Sequence, residues 1–155
     1  MHVLDNKVPP PVVAVFCASA MYWLAHSKFA IPINILAHMK LEIALTILLV
    51  AVLIAFCAVW SFKQAQTTIS PTKPQNSAAL VTTGLFKHSR NPMYVAVALS
   101  LFAFAVYLAD ALSLAGVGAF VLFITQFQIK PEERILKEKF GAPYDVYLTK
   151  VRRWI

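Results

Sequence analysis

Four stretches of the chain are almost wholly apolar, at residues 11–29, 41–62, 94–109 and 111–129, and polar residues gather between and after them. None of the four alternates like a half-buried strand, and apolar blocks of about 18 residues or more read as bilayer-crossing helices. The pattern predicts an all-α integral membrane protein with about four transmembrane helices. The third run is near the lower limit for crossing, so a tilted or partly re-entrant hairpin stays open for the third and fourth. Only Asp110 separates those two runs. That predicts a tight αα-hairpin, with Asp110 placed to cap its second arm.

The flanking residues refine these elements. Pro9-Pro10-Pro11 stiffens the approach to the first run and starts its helix. Tyr22, Trp23 and Trp60 lie near run ends, where aromatic rings favour the headgroup boundary. Glu42, beside His38 and Lys40, falls at the start of the second run, which places it at headgroup level. Ala18-Ser19-Ala20 resembles a signal-peptidase site. The apolar run continues past it, and little positive charge precedes it, so the segment reads as a retained span. Residues 63–83 are rich in Gln, Thr, Ser and Asn and contain Pro71 and Pro74. They read as a cytoplasmic linker between a two-span half, 1–62, and a second half, 84–155, of one membrane-embedded unit.

Composition and charge agree. With 59% hydrophobic residues in 155, a soluble domain would leave too much apolar surface in water. The net charge of +7 is carried by residues flanking the runs. Orientation and anionic headgroups explain it better than nucleic acid. With four spans, Lys7, Lys63, Lys73, Lys87, Arg90 and the seven Lys/Arg residues after Ile129 share one side, against Lys28 and Lys40 on the other. The positive-inside rule then puts both termini in the cytoplasm, with an amphipathic helical segment after Ile129 on that face. This form suits a prokaryotic inner membrane. Cys17 and Cys57 lie inside apolar runs without metal-ligand spacing and read as small buried hydrophobes.

Two polar clusters are candidates for chemistry. One is Gly84-Leu85-Phe86-Lys87-His88-Ser89-Arg90-Asn91-Pro92-Met93-Tyr94; the other comprises Glu132-Glu133, Phe140-Gly141, Tyr144, Tyr147, Arg152, Arg153 and Trp154. Physics alone leaves two readings level. In the structural one, Asn91 caps a helix, Pro92 takes its first turn and Arg90 binds headgroup phosphate. Pro131-Glu132-Glu133 then opens another helix, Gly141 ends it, and Tyr144 and Tyr147 lie in the interface. In the functional one, the two clusters form a site at the membrane surface.

The motifs tilt the balance. A glycine, an apolar pair and then Arg-Asn-Pro-x-Tyr before a helical hairpin resembles the Arg-His-Pro-x-Tyr element of the isoprenylcysteine carboxyl and phospholipid methyltransferases. Paired glutamates, Phe-Gly and Tyr-x-x-Tyr follow in the same order and spacing, so the resemblance covers 84–154. Asn91 stands where eukaryotic members carry histidine, and an amide neither gives nor takes a proton near neutral pH.

The resemblance implies S-adenosylmethionine as cofactor, held outside a Rossmann framework; no Gly-x-Gly-x-x-Gly is present. It implies a cofactor site of Lys87, His88, Arg90, Asn91, Pro92, Tyr94, Glu132, Glu133 and Tyr144, with Arg90 and Glu133 carrying catalysis. Tyr147, Arg152 and Arg153 would face the acceptor, and no metal is implied. Arg90, helped by Lys87, suits the cofactor carboxylate, and the glutamates suit its ammonium or ribose hydroxyls. Tyr94 or Tyr144 suits the sulfonium. The expected partners are the bilayer and a lipophilic or lipid-linked acceptor. A carboxylate or thiol is slightly preferred, because an amine must first lose a proton. Phospholipid N-methylation is the nearest alternative. A nicotinamide-dependent membrane reductase, a small transporter and a non-catalytic scaffold are the others. In the scaffold the Arg90 and Glu132 clusters never meet.

Overall fold

The computed structural model describes residues 5, 7–33, 38–65 and 79–155. Most of the expected linker, with Pro71, Lys73 and Pro74, lies outside the described residues. Among these, the chain is helical, with one isolated bridging pair, Pro32 and Asp110. The helices are α1 (Pro10–Ala25), α2 (Lys40–Gln64), α3 (Pro92–Leu108), α4 (Leu114–Ile124), α5 (Lys130–Phe140) and α6 (Ala142–Lys150). A 3-10 turn, Gly84–Lys87, precedes α3. Two helices are long and apolar enough to cross a membrane: α2, and the continuous helix Leu114–Phe140 that contains α4 and α5. The apolar helices α1 and α3 are shorter, at 16 and 17 residues.

Helix α3 is central, with α1 and α4 packed on it and on each other and α2 packed on it separately. The α2 helix is inside-out by soluble-protein standards. It buries Ala44, Ala51 and Ala58, at seven-residue spacing, and exposes Leu41, Leu45, Leu49, Leu53 and Phe56. Between membrane helices the apolar effect gives no drive to associate, so small residues mark the contact and large ones meet lipid. Cys57 is on that outer face, which corrects the expectation of a buried thiol; Cys17 is buried, and both are unpaired. Where α1 meets α4, Gly116 lies against Met21, which is fully buried.

The hairpin forms as expected, and Asp110 does more than cap it. Its Oδ2 accepts the Ser113 N–H and hydroxyl, while Oδ1 accepts the Ile31 N–H at 2.6 Å, tying the α1–α2 connection to the hairpin. Ala109 ends α3 in the left-handed region, at φ 50°.

Two further expectations are corrected. Pro131 opens no separate helix: residues Thr125–Ile129 form a π turn, and α4 runs through it into α5. Pro131 cannot donate to the preceding turn and its ring crowds the carbonyl four residues back, and a widened turn relieves both. Asn91 is the N-cap of α3 by position, but its side chain caps nothing there.

Candidate active site

The approach to α3 is built by short-range bonds. Ser89 Oγ accepts the Asn91 N–H, and Pro92 takes the first helical turn, where its missing N–H costs nothing. The C-terminal segment then laces onto this corner. The Arg90 N–H donates to the Arg152 carbonyl at 3.0 Å, and Asn91 Nδ2 donates to the Arg153 carbonyl at 2.9 Å. Trp154 Nε1 donates to Thr125 Oγ1 in the π turn. Asn91 therefore uses its amide as a clasp, which asks for a donor and no titrating group.

Glu133 joins the two clusters. Its carboxylate is 2.8 Å from the Arg90 guanidinium and takes both Nε and a terminal nitrogen of Arg153, at 3.0 and 2.7 Å. This two-pronged pairing pushes the Arg153 pKa further up. The second Arg90 terminal nitrogen donates to the Leu148 carbonyl at 3.3 Å. Arg90 Nε is buried without a hydrogen-bond partner among the described residues.

Glu132 faces another way. Its Oε1 accepts the Tyr94 hydroxyl at 2.7 Å and Gln128 Nε2 at 2.9 Å. Burial pushes its carboxyl up to about 7, against the opposing pull of those two hydrogen bonds and with a smaller push from the Glu133 charge. On α6, Tyr144 and Tyr147 are buried, which corrects the interfacial reading of this pair. Burial raises the Tyr144 phenol, and the Glu133 charge adds to it. Tyr147 is pushed up to about 12 by burial, with Arg90 opposing, and its hydroxyl donates to the Phe86 carbonyl. Both phenols remain protonated donors at neutral pH.

These side chains surround one cavity of about 500 Å³. Arg90, Asn91, Pro92, Tyr94, Glu132, Glu133, Tyr144 and Tyr147 line its polar end. Ala51, Val52 and Ala55 of α2 and Ala96, Val97 and Ser100 of α3 extend it as an apolar arm. Four expected cofactor or acceptor residues are outside it. Lys87 and His88 are exposed, because the 3-10 turn commits Phe86 to the interior, edge-on to Phe62. Arg152 is exposed and contributes its backbone carbonyl to the corner. Arg153 lines a second cavity beyond Glu133. The reading also missed Gln128, fully inside the fold; its only signal was an amide within an apolar run, four residues before Glu132.

The paired motifs thus share one cavity. The phospholipid methyltransferase family matches residues 39–143, well over half of the chain. An uncharacterized protein of Haemophilus influenzae is 46% identical over 63 residues, covering 41% of this chain and 100% of that relative. No solved structure matches. The match takes in α2, the corner before α3, α3 itself and both glutamates, all of which contribute to the cavity lining, and the chain belongs to the phospholipid methyltransferase family.

Proposed function

We propose that the chain is an S-adenosylmethionine-dependent methyltransferase acting at the membrane surface on a lipophilic or lipid-linked acceptor. The observation that carries this reading is the single cavity in which both polar clusters meet and from which an apolar arm runs between α2 and α3. The scaffold alternative has no use for that meeting.

The residues present fit the cofactor. The buried Arg90 Nε has a hydrogen to donate and no partner among the described residues, which suits a ligand carboxylate. The Glu132 carboxyl suits an ammonium or ribose hydroxyl, and the rings of Tyr94 and Tyr144 suit a sulfonium. Glu133 has a different part from the catalytic one first expected: two guanidinium groups occupy its oxygens, so it positions Arg90. When bound, S-adenosylmethionine supplies an electrophilic methyl group on a positively charged sulfur. The chain's own contribution is to align the reactants and keep water out.

The same reading takes α1, α2, α3 and α4 with its π turn as four spans of a single unit, both termini facing the cytoplasm of a prokaryotic inner membrane. The two shorter helices cover about 24–26 Å at 1.5 Å per residue, enough for a thin or locally thinned bilayer. The outward leucines of α2 and the one-sided Lys/Arg distribution support it.

The apolar arm suits an acyl or prenyl chain. A carboxylate acceptor needs no base, in the manner of isoprenylcysteine methylation. One observation favours an amine headgroup as the second reading: a carboxyl with its pKa near 7 can take the proton that an amine must lose.

Calorimetry of S-adenosylmethionine binding to the purified protein tests the proposal. Wild type should bind, Arg90→Ala and Glu132→Gln should each weaken binding at least about tenfold, and wild-type affinity should rise with pH through 7. No binding by folded wild type, in detergent and in lipid nanodiscs, would overturn it.

A further inference from the structure

We propose that Gln128 is a positioning residue for Glu132: it holds Oε1 on one side and leaves the carboxyl's other oxygen for a ligand. This deepens the proposed function and rests on it for the identity of that ligand.

The geometry starts in the π turn. Thr125–Ile129 inserts a wide turn between the apolar α4 and the polar α5, with the Lys130 N–H reaching back to the Thr125 carbonyl. Gln128 and Ile129 are both buried there, so the turn carries an amide side chain into the bundle where an apolar one would pack without penalty. A buried amide needs partners, and Gln128 Nε2 finds one in Glu132 Oε1 at 2.9 Å. The Tyr94 hydroxyl, from α3, donates to that same oxygen at 2.7 Å. One carboxyl oxygen is thus fixed by donors from two elements, across the cavity that both Glu132 and Tyr94 line. Trp154 holds the turn from outside through Thr125, whose hydroxyl in turn donates to the Val121 carbonyl.

Among the described residues, the charged and titratable groups around Glu132 are few. Glu133 is its neighbour on α5, tied to Arg90 before α3 and Arg153 in the C-terminal segment. Tyr94 approaches from α3, and Tyr144 from α6 lies within electrostatic reach. None of the arginines bonds Glu132 directly, so the two neutral donors are what favour its ionised form. Burial works against them and keeps the carboxyl near 7.

The test reads the carboxyl itself in protein without ligand, by its infrared carbonyl band over a pH series. Glu132→Gln identifies the band. Gln128→Met keeps the length and removes the donor, and the Glu132 midpoint should then move up by about half a pH unit or more, a roughly threefold weaker acid. Tyr94→Phe should move it the same way. Gln128→Asn, which keeps the amide but shortens its reach, provides the same reading if the methionine variant does not fold. A midpoint within about 0.2 unit of wild type in a folded Gln128 variant would sink the proposal, even if cofactor binding weakened. A shifted midpoint in a protein that binds no S-adenosylmethionine at any pH would leave the positioning standing and remove the function.

Discussion

The Arg90 guanidinium lies 2.8 Å from the Glu133 carboxylate, with both side chains largely buried, at 11% and 16% exposure. One comes from the corner before α3 and the other from α5, so this pair fastens the two motifs together. Breaking a buried pair strands the partner charge, which costs about 3–5 kcal/mol. Glu133→Gln strands Arg90 and also releases Arg153, so it should lower stability by about 3 kcal/mol, seen as a lower unfolding midpoint in detergent. Arg153 is 34% exposed, and Arg153→Ala should cost about 1 kcal/mol or less.

Glu132 makes stability depend on pH. Its folded pKa of about 7 is above its ordinary 4.5, so the folded protein holds that proton more tightly than the unfolded chain. The resulting stabilisation is complete below about 4.5 and is lost as pH rises through 7. Over that window wild type should lose stability, on the order of 3 kcal/mol, relative to Glu132→Gln. Unfolding midpoints of both proteins from pH 4.5 to 8 check this; parallel curves would contradict it.

Gly116 has no room for a side chain. A Cβ there would overlap Met21 Cγ and lie 2.7 Å from its sulfur, with the Cys17 carbonyl behind at 3.5 Å. Gly116→Val should separate α1 from α4 and destabilise the bundle by about 1–3 kcal/mol. A thermal unfolding midpoint of the variant equal to that of wild type would show that α1 yields instead.

Ala109 is a non-glycine residue in the left-handed region at the end of α3, at φ 50°. Its Cβ costs about 1 kcal/mol in that conformation, and glycine removes the cost. Ala109→Gly should therefore stabilise the protein, which is unusual for an added glycine, and denaturation in detergent would show it.

The apolar runs were enough to find the four apolar helices and the hairpin at Asp110, because hydrophobic length and local turn chemistry are written in neighbouring residues. The two motifs were legible too, as Arg90, Tyr94, Glu132 and Tyr144 do line one cavity. Other parts depended on contacts between residues far apart in the chain. Only the packing decided that Glu133 clasps two arginines while Glu132 takes Tyr94 and Gln128, since the two are adjacent and chemically alike. The π turn that carries Gln128 inward, the clasp of Asn91 on the Arg153 carbonyl and the outward turn of Lys87 and His88 were likewise invisible. The physical reason is that sequence spacing gives the direction of a side chain only while its helix stays regular. A widened turn, a 3-10 turn and a returning C-terminal segment each reset that direction, and their geometry exists only once the helices are packed.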